Sequence, residues 1–166
     1  MKSARLQNVS LIGIEVDDAD LTRARIENAT FAEATLDDCT FERARLADVS
    51  FADARLDDVS FARARLHDVS FVGATLDDSD LSGAHLHNVS FSQATLDDAS
   101  LAGARLVNVD LAGSRWSDVD LRGARIEGAD LRGLAIVGCR LDGLTIDGVR
   151  VDELVAAHKL AQTPPK

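Results

Sequence analysis

Every fifth residue from Leu6 to Val151 is Leu, Ile, Val, Phe or Trp. Two positions before most of these stands a smaller residue, as in Ala24, Ala29, Ala34, Cys39, Ala44, Val49, Ala54 and Val59. The remaining three positions of each five are mostly polar or Gly. A period of five matches neither the 3.6 of an amphipathic helix nor the 2 of a strand. A chain that turns a corner every five residues explains it, with one large and one small side chain pointing inward on each side.

A second, longer period sets the number of sides. ATLDD occurs at 34–38, 74–78 and 94–98, with ARLDD at 54–58 and IEVDD at 14–18, all on one twenty-residue grid. Arg5, Arg25, Arg45, Arg65, Arg105 and Arg125 keep the same spacing, and His85 fills the gap. So do Phe31, Phe51, Phe71 and Phe91, with Phe41 and Phe61 midway between them. Self-similarity at a fixed period marks a stacked architecture. Twenty residues divided into fives predict a square coil in which inward residues of one phase stack in columns, including a column of Phe.

With its pentads ADLTR (19–23), ADLRG (129–133), ARLDD (54–58) and VSFAD (49–53), the chain resembles the pentapeptide repeat proteins over about residues 4–153. The resemblance implies an all-β, right-handed quadrilateral β-helix with four pentapeptides per coil and backbone hydrogen bonds between coils. At the ~4.8 Å spacing of neighbouring strands, seven to eight coils give a rod roughly 35 Å long. Ile14, Leu134, Leu144 and Leu154 replace the small inward residue, which suggests wider or distorted end coils.

The expected organisation is a β-helix over 1–153 and a C-terminal segment over 154–166. In VDELVAAHKLAQTPPK the grid breaks, and Val151, Leu154, Val155 and Leu160 fall near helical spacing until Pro164 and Pro165 stop it. An open coil end exposes unpaired strand edge. Two readings follow: a helix that caps the coil, or a capping helix that also pairs two molecules into a homodimer, as the resemblance implies for related members.

At 166 residues and 46% hydrophobic content, the chain has the length of one domain and too much apolar surface for disorder. No apolar run approaches the ~20 residues of a membrane span, so no membrane partner is expected. The opening MKSARLQNVS lacks a signal-peptide core, and cytoplasmic residence is the expectation. Cys39 and Cys139 share a phase but lie five coils apart, beyond the ~7 Å reach of a disulfide; both are expected to be small buried thiols.

The net charge of −10 is unevenly placed. One side carries Asp17, Asp37, Asp57, Asp77 and Asp97 in a column, beside a second column of Asp18, Asp38, Asp58, Asp78, Asp98 and Asp118. The opposite side carries the Arg5-to-Arg125 column. A corner column of Arg23, Arg43 and Arg63 gives way to Gly83, Gly103, Gly123 and Gly143. Carboxylates ~4.8 Å apart repel by about 0.9 kcal/mol per pair even in bulk water, and like charges opposite one another across strands are destabilising. Turn chemistry accounts for the second column, because the matching corner across the coil reads Asn8, Asn28, Asp48, Asp68, Asn88 and Asn108. It does not account for Asp17 to Asp97, whose counterparts are Gln7, Glu27, Ala47, His67, His87 and Val107.

Two carboxylates per coil average one negative charge per about 2.4 Å of axis, against about 1.7 Å for B-form DNA. This is similar to the DNA-mimicking branch of the family, whose members occupy the DNA-binding saddle of gyrase and topoisomerase IV and confer quinolone resistance. Uninterrupted repeats and a C-terminal helix match the loop-free members of that branch. The resemblance therefore implies a type II topoisomerase as one protein partner; the family-wide alternative is a non-enzymatic adaptor for some other protein. Direct nucleic-acid binding is disfavoured by the sign of the charge. A Ca²⁺ site on the Asp ladder needs six to eight converging oxygens, which parallel columns supply poorly. His67, His85 and His87 read as surface substitutions, with no carboxylate or Cys completing a chelate. Ser10, Ser50, Ser70 and Ser90 form a hydroxyl column without acid–base partners, expected to pair across strands. With no cleft and no phosphate-binding Gly loop, no catalytic site, cofactor or metal is expected.

Overall fold

The computed structural model describes residues 4–161 as a four-sided β-solenoid of about seven coils, followed by one helix. Two sides of the coil are sheets and two are turns. The first sheet stacks β1 (Arg5–Ser10), β3 (Arg25–Thr30), β5 (Arg45–Ser50), β7 (Arg65–Ser70), β9 (His85–His87), β11 (Arg105–Val107), β13 (Arg125–Glu127) and β15 (Thr145–Ile146). The second stacks β2 (Glu15–Asp17), β4 (Thr35–Asp37), β6 (Arg55–Asp57), β8 (Thr75–Asp77), β10 (Thr95–Asp97), β12 (Arg115–Ser117) and β14 (Ala135–Val137). These strands pair in parallel, each residue beside the one twenty positions on, as in Leu36↔Leu56 and Leu46↔Leu66. The twenty-residue grid is thus the register of the sheets.

Corners come every five residues because every fifth residue is left-handed. Asn8, Asp18, Arg23, Asn28, Glu33 and Asp38 have φ of 55°, 53°, 60°, 51°, 59° and 49°, and Gly takes the same place at Gly83, Gly103 and Gly123. The corners are of two kinds. On the turn sides, a backbone bond closes four residues, as in Ala24 N–H to the Leu21 carbonyl at 2.9 Å and Ala64 N–H to that of Phe61 at 2.9 Å. A positive φ at the third residue of such a turn is the type II pattern. The residue ahead of the turn holds it too: Thr22 N–H donates to Asp20 Oδ1 at 2.9 Å, and Ala52 N–H to Ser50 Oγ at 3.3 Å. The Ser column expected to pair across strands mainly caps turns, with Ser50, Ser70 and Ser90 each accepting from the backbone two residues ahead, while Ser90 Oγ also donates across to Asp110 Oδ2 at 3.4 Å.

Inside, each coil contributes its large and small residues to one continuous core. Phe31, Phe51, Phe71 and Phe91 stack nearly parallel, with centroids 5.1, 5.1 and 4.9 Å apart. Phe41 and Phe61 form a second stack at 4.9 Å and meet the first edge-on, Phe51–Phe61 at 5.8 Å and 79°. Both geometries suit the aromatic quadrupole. Beyond Phe91 the columns continue in Leu, and Trp116 fills the space in the Leu column with its ring edge-on to Phe91 at 6.5 Å. Its buried Nε1–H has no partner.

The ends are looser. Ile14 and Leu134, expected to widen the end coils, are half-buried, whereas Leu144 is fully buried. Cys39 is a buried thiol, but Cys139 is only half-buried, because no further coil covers the last one. Burial pushes both thiols above their ordinary range. After β15 the chain doubles back as β16 (Val149–Arg150), which pairs antiparallel and blunts the edge of the first sheet. Helix α1 then runs over Val151–Ala161, so it opens at Val151, three residues before the expected segment start. Asp152 fixes that start by accepting from Gly143 N–H and Glu153 N–H at 2.9 Å, with Arg150 beside it. Val151 packs on the core and Val155 is half-buried, but Leu154 and Leu160 are exposed. Pro164 and Pro165 lie outside the described residues. No helix among the described residues is long and apolar enough to cross a membrane.

Because Phe51 contacts Phe31 and Phe71 along its stack and Phe41 and Phe61 beside it, Phe51→Ala is expected to cost about 3–5 kcal/mol. Urea unfolding checks this through a lower midpoint at unchanged slope. A loss below about 1 kcal/mol contradicts a core built from coupled columns.

Candidate functional site

The second sheet carries the acidic side. Its register sets Asp17 beside Asp37, Asp37 beside Asp57, Asp57 beside Asp77 and Asp77 beside Asp97. The column ends where Ser117 follows Asp97. Successive residues of a strand point to opposite faces, so buried Leu36, Leu56, Leu76 and Leu96 send the flanking aspartates outward. Asp17, Asp37, Asp57, Asp77 and Asp97 therefore form one continuous outward rail.

The adjoining column sits at the corner. Asp18, Asp38, Asp58, Asp78, Asp98 and Asp118 all have φ between 47° and 53°. Each left-handed residue donates its N–H to the next coil, as Asp38 does to the Asp57 carbonyl at 3.2 Å. This corner has no closing four-residue bond, and the residue there is Asn, Asp or Gly on every coil of both sheets. Asx residues tolerate the left-handed region because their short side chains bond locally. The turn corners, which do have the closing bond, also accept Arg23, Glu33, Arg43, Arg63 and Gln93. Asp18 to Asp118 are thus explained by backbone shape, and Asp17 to Asp97 are not.

The rail has one interruption that the aspartate count hides: Arg55 Nη2 donates to Asp57 Oδ2 at 3.2 Å, within the same strand. Arg115 stands in the same column of the sheet, where the other coils have Glu15, Thr35, Thr75, Thr95 and Ala135. The signal was in the sequence as the Arg of ARLDD, two residues before the aspartate on the same strand face. Among the described residues, Asp17, Asp37, Asp77 and Asp97 have no ion-pair partner within 4.0 Å, whereas Asp57 has Arg55. Several acids elsewhere do have arginine partners. Arg122 holds Asp120 below the usual carboxylate range, Arg132 does so for Asp130, and Arg150 with the Gly143 N–H does so for Asp152. Asp78 moves the other way. Desolvation, followed by the charges of Asp77, Asp98, Asp57 and Asp58, pushes its carboxyl up.

The first sheet presents the opposite charge. Arg5, Arg25, Arg45, Arg65, His85, Arg105 and Arg125 follow one another in register. Glu27 pairs with Arg5 at 3.4 Å and Glu127 with Arg105 at 3.2 Å, while Arg45 and Arg65 in the middle have no acidic partner among the described residues. Beside them His67 and His87 stack with centroids 4.9 Å apart. Among the described residues no group of three or more His, Cys, Asp or Glu converges as a metal site. Neither sheet brings a nucleophile and a base together, and the polar groups lie on open faces.

A four-sided parallel solenoid with outward charge columns on its two sheets is a repeat scaffold. Family models described as "Pentapeptide repeat region" and "Pentapeptide repeats (8 copies)" match residues 24–101 and residues 1–38 and 104–143. The chain belongs to the pentapeptide repeat proteins. Among solved structures, trypsin-treated QnrB1, a plasmid-mediated fluoroquinolone resistance protein, is similar at 15% identity, with 98% of each chain covered and a TM-score of 0.58. HetL, a pentapeptide repeat protein involved in heterocyst differentiation regulation from the cyanobacterium Nostoc sp. strain PCC 7120, aligns at 20% identity over 85% of this chain and 90% of its own, with a TM-score of 0.28. A pentapeptide repeat protein of the Arabidopsis thaliana thylakoid lumen aligns at 20% identity over 89% and 76%, with a TM-score of 0.33. No curated protein shows a significant match.

The raised Asp78 carboxyl fixes the sign of a stability test. A folded-state value above the unfolded one means that ionised Asp78 costs stability at neutral pH, and that the cost vanishes as acid protonates it. Asp78→Asn is expected to raise the melting temperature at pH 7, with the gain shrinking as pH falls through the raised folded-state value and gone below the ordinary Asp value of about 3.9. Raising salt from about 0.02 to about 0.5 M is expected to stabilise the parent more than this variant, because salt screens the rail. Equal salt responses contradict charge repulsion on Asp78 from the neighbouring rail and corner aspartates.

Proposed function

We propose that this protein acts without catalysis, by offering its flat charged sheets to a protein partner. The observation that carries this is the rail of Asp17, Asp37, Asp57, Asp77 and Asp97, held in register at a repulsive spacing that backbone geometry does not require. Together with Glu15 and the corner column, the acidic side holds twelve acids against Arg55 and Arg115, as large as the whole chain's formal net charge of −10. A basic, extended surface is the matching partner, since opposed potentials steer encounter and fix orientation. The two free thiols fit a reducing compartment such as the cytoplasm.

One specific observation favours a second, narrower reading: a mimic of DNA for a type II topoisomerase. The paired columns approach the line charge of duplex DNA on one straight side. The likeness to QnrB1 concerns the fold, and that protein's role in fluoroquinolone resistance makes gyrase the first partner to try. In this reading the Asp sheet faces the enzyme and the Arg sheet faces away; the protein itself does not bind nucleic acid.

A gyrase supercoiling assay separates the readings, with purified protein run beside an Asp37/Asp57/Asp77/Asp97→Asn variant. Inhibition by the parent that falls at least tenfold in the variant supports mimicry by the rail. Absence of inhibition, and of any protection from a quinolone, removes the topoisomerase and leaves the adaptor. Equal action by parent and variant removes the rail as the contact surface.

The C-terminal segment adds an oligomer to the proposal. Val149, Leu154 and Leu160 are 51%, 57% and 76% exposed at the end of the solenoid, next to the half-buried final coil. A homodimer joined there covers this apolar surface and doubles the rod. Sedimentation is expected to give a dimer for the parent and a monomer for Leu154→Glu/Leu160→Glu; a monomeric parent at micromolar concentration sinks the dimer.

A further inference from the structure

The imidazoles of His67 and His87 are close to a ready-made pair of metal ligands. Their Nδ1 atoms lie 3.0 Å apart, on adjacent strands and in register. Two nitrogens bound at about 2.05 Å are about 2.9 Å apart when cis at 90° and about 3.3 Å apart at the tetrahedral angle. The observed separation fits cis ligation, the arrangement of square-planar or octahedral Cu²⁺ and Ni²⁺, better than it fits tetrahedral Zn²⁺. We propose that His67 and His87 form a surface site for a divalent transition metal of the Cu²⁺ or Ni²⁺ type, bound through both Nδ1 atoms.

The surroundings support ligation on three counts. First, His67 Nε2 lies 3.1 Å from Asp68 Oδ2; with the proton on Nε2, facing that carboxylate, Nδ1 keeps a lone pair. A carboxylate on the far nitrogen is the usual orienting partner of a metal-bound histidine. Second, Asp68 is itself held, accepting from Asn88 Nδ2 at 3.1 Å one coil on. Third, the register neighbours on either side of the pair are Ala47 and Val107, which are too short to cover the ring edges. Shallow depressions lined by Arg45, Ala47 and Arg65 on one side and by His85, Arg105 and Val107 on the other flank the stack.

Without metal, the His87 Nδ1–H donates to His67 Nδ1. With metal, His87 carries its hydrogen on Nε2 instead, so both rings stay neutral and no net proton leaves a neutral pair. Water fills the remaining cis positions. Arg65, His85 and Arg105 on the same face make the site electropositive, so an anionic group on those positions is favoured. Acid competes with the metal, because a protonated imidazole has no lone pair to give.

The test is calorimetric titration of tag-free, full-length protein with NiCl₂ near neutral pH, with Cu²⁺ electron paramagnetic resonance as a second readout. The expected result is one equivalent bound, at least tenfold weaker in both His67→Gln and His87→Gln, with unchanged melting temperatures of these variants without metal. Asp68→Asn is expected to weaken binding about tenfold as an orienting group. His158→Gln, on α1, is expected to bind as the parent does. The Cu²⁺ spectrum is expected to show coupling to two imidazole nitrogens. No saturable binding, or parent-like affinity in either His67→Gln or His87→Gln, overturns the proposal.

Discussion

The left-handed residue at every fifth position is the constraint from which the rest of this molecule follows. It turns the chain through a corner, four corners close a coil, and the coil length becomes the register between strands. Nothing else in the chain sets that length. Once the register is twenty, an inward Phe meets Phe and an outward Asp meets Asp, whatever the local energetics. The fold therefore cannot choose its neighbours column by column. It can vary only what stands in each column, and a costly choice such as Asp on Asp is repeated with each copy of the repeat.

The two kinds of corner show how much freedom remains. Where a four-residue turn bond closes the corner, Arg, Glu or Gln can take the left-handed position, because the backbone bond offsets part of the ~1–2 kcal/mol cost of that conformation. Where the corner lacks that bond, only Asn, Asp or Gly occurs. The core has the same asymmetry between middle and ends. Phe41, Phe51, Phe61 and Phe71 are fully buried, while the first and last coils, lacking a neighbour on one side, leave Leu11, Val16 and Ile136 half-buried. Trp116 marks the changeover from Phe to Leu columns, filling volume at the expense of an unpartnered indole N–H.

Most of this was legible in the sequence, because a five-residue period leaves few alternatives. The large–small inward pair, the four sides, the Phe stacks and the Asp and Arg columns all follow from phase alone. What phase could not give was the difference between sides. Ser50 and Ser70 look like a ladder in sequence and are turn caps in the structure, since the choice depends on whether the next residues turn or extend. Val151 satisfies both the five-residue grid and the helical spacing, so phase alone sets the boundary at 154; α1 opens at Val151, with Asp152 accepting from Gly143 N–H beside it. The pairing of Arg55 with Asp57 and the contact of His67 with His87 depend on side-chain reach across a flat sheet, which periodicity does not encode.

Segregating charge onto opposite sheets has a consequence that net charge alone does not. A uniformly acidic rod attracts a basic surface with any side, whereas this one has a preferred side, because Arg45 and Arg65 stand unneutralised behind the aspartates. Docking by the wrong sheet brings like charges together, and such juxtaposition suppresses incorrect orientations more strongly than the correct contact adds affinity. The repulsion stored along Asp17 to Asp97 works in the same direction. Each carboxylate that meets a cation on a partner relieves neighbours as well as itself, so cationic contacts reinforce one another along the axis. In the proposed interaction such a rail would therefore favour an extended basic groove over a single basic residue, with a match that improves with the number of coils engaged.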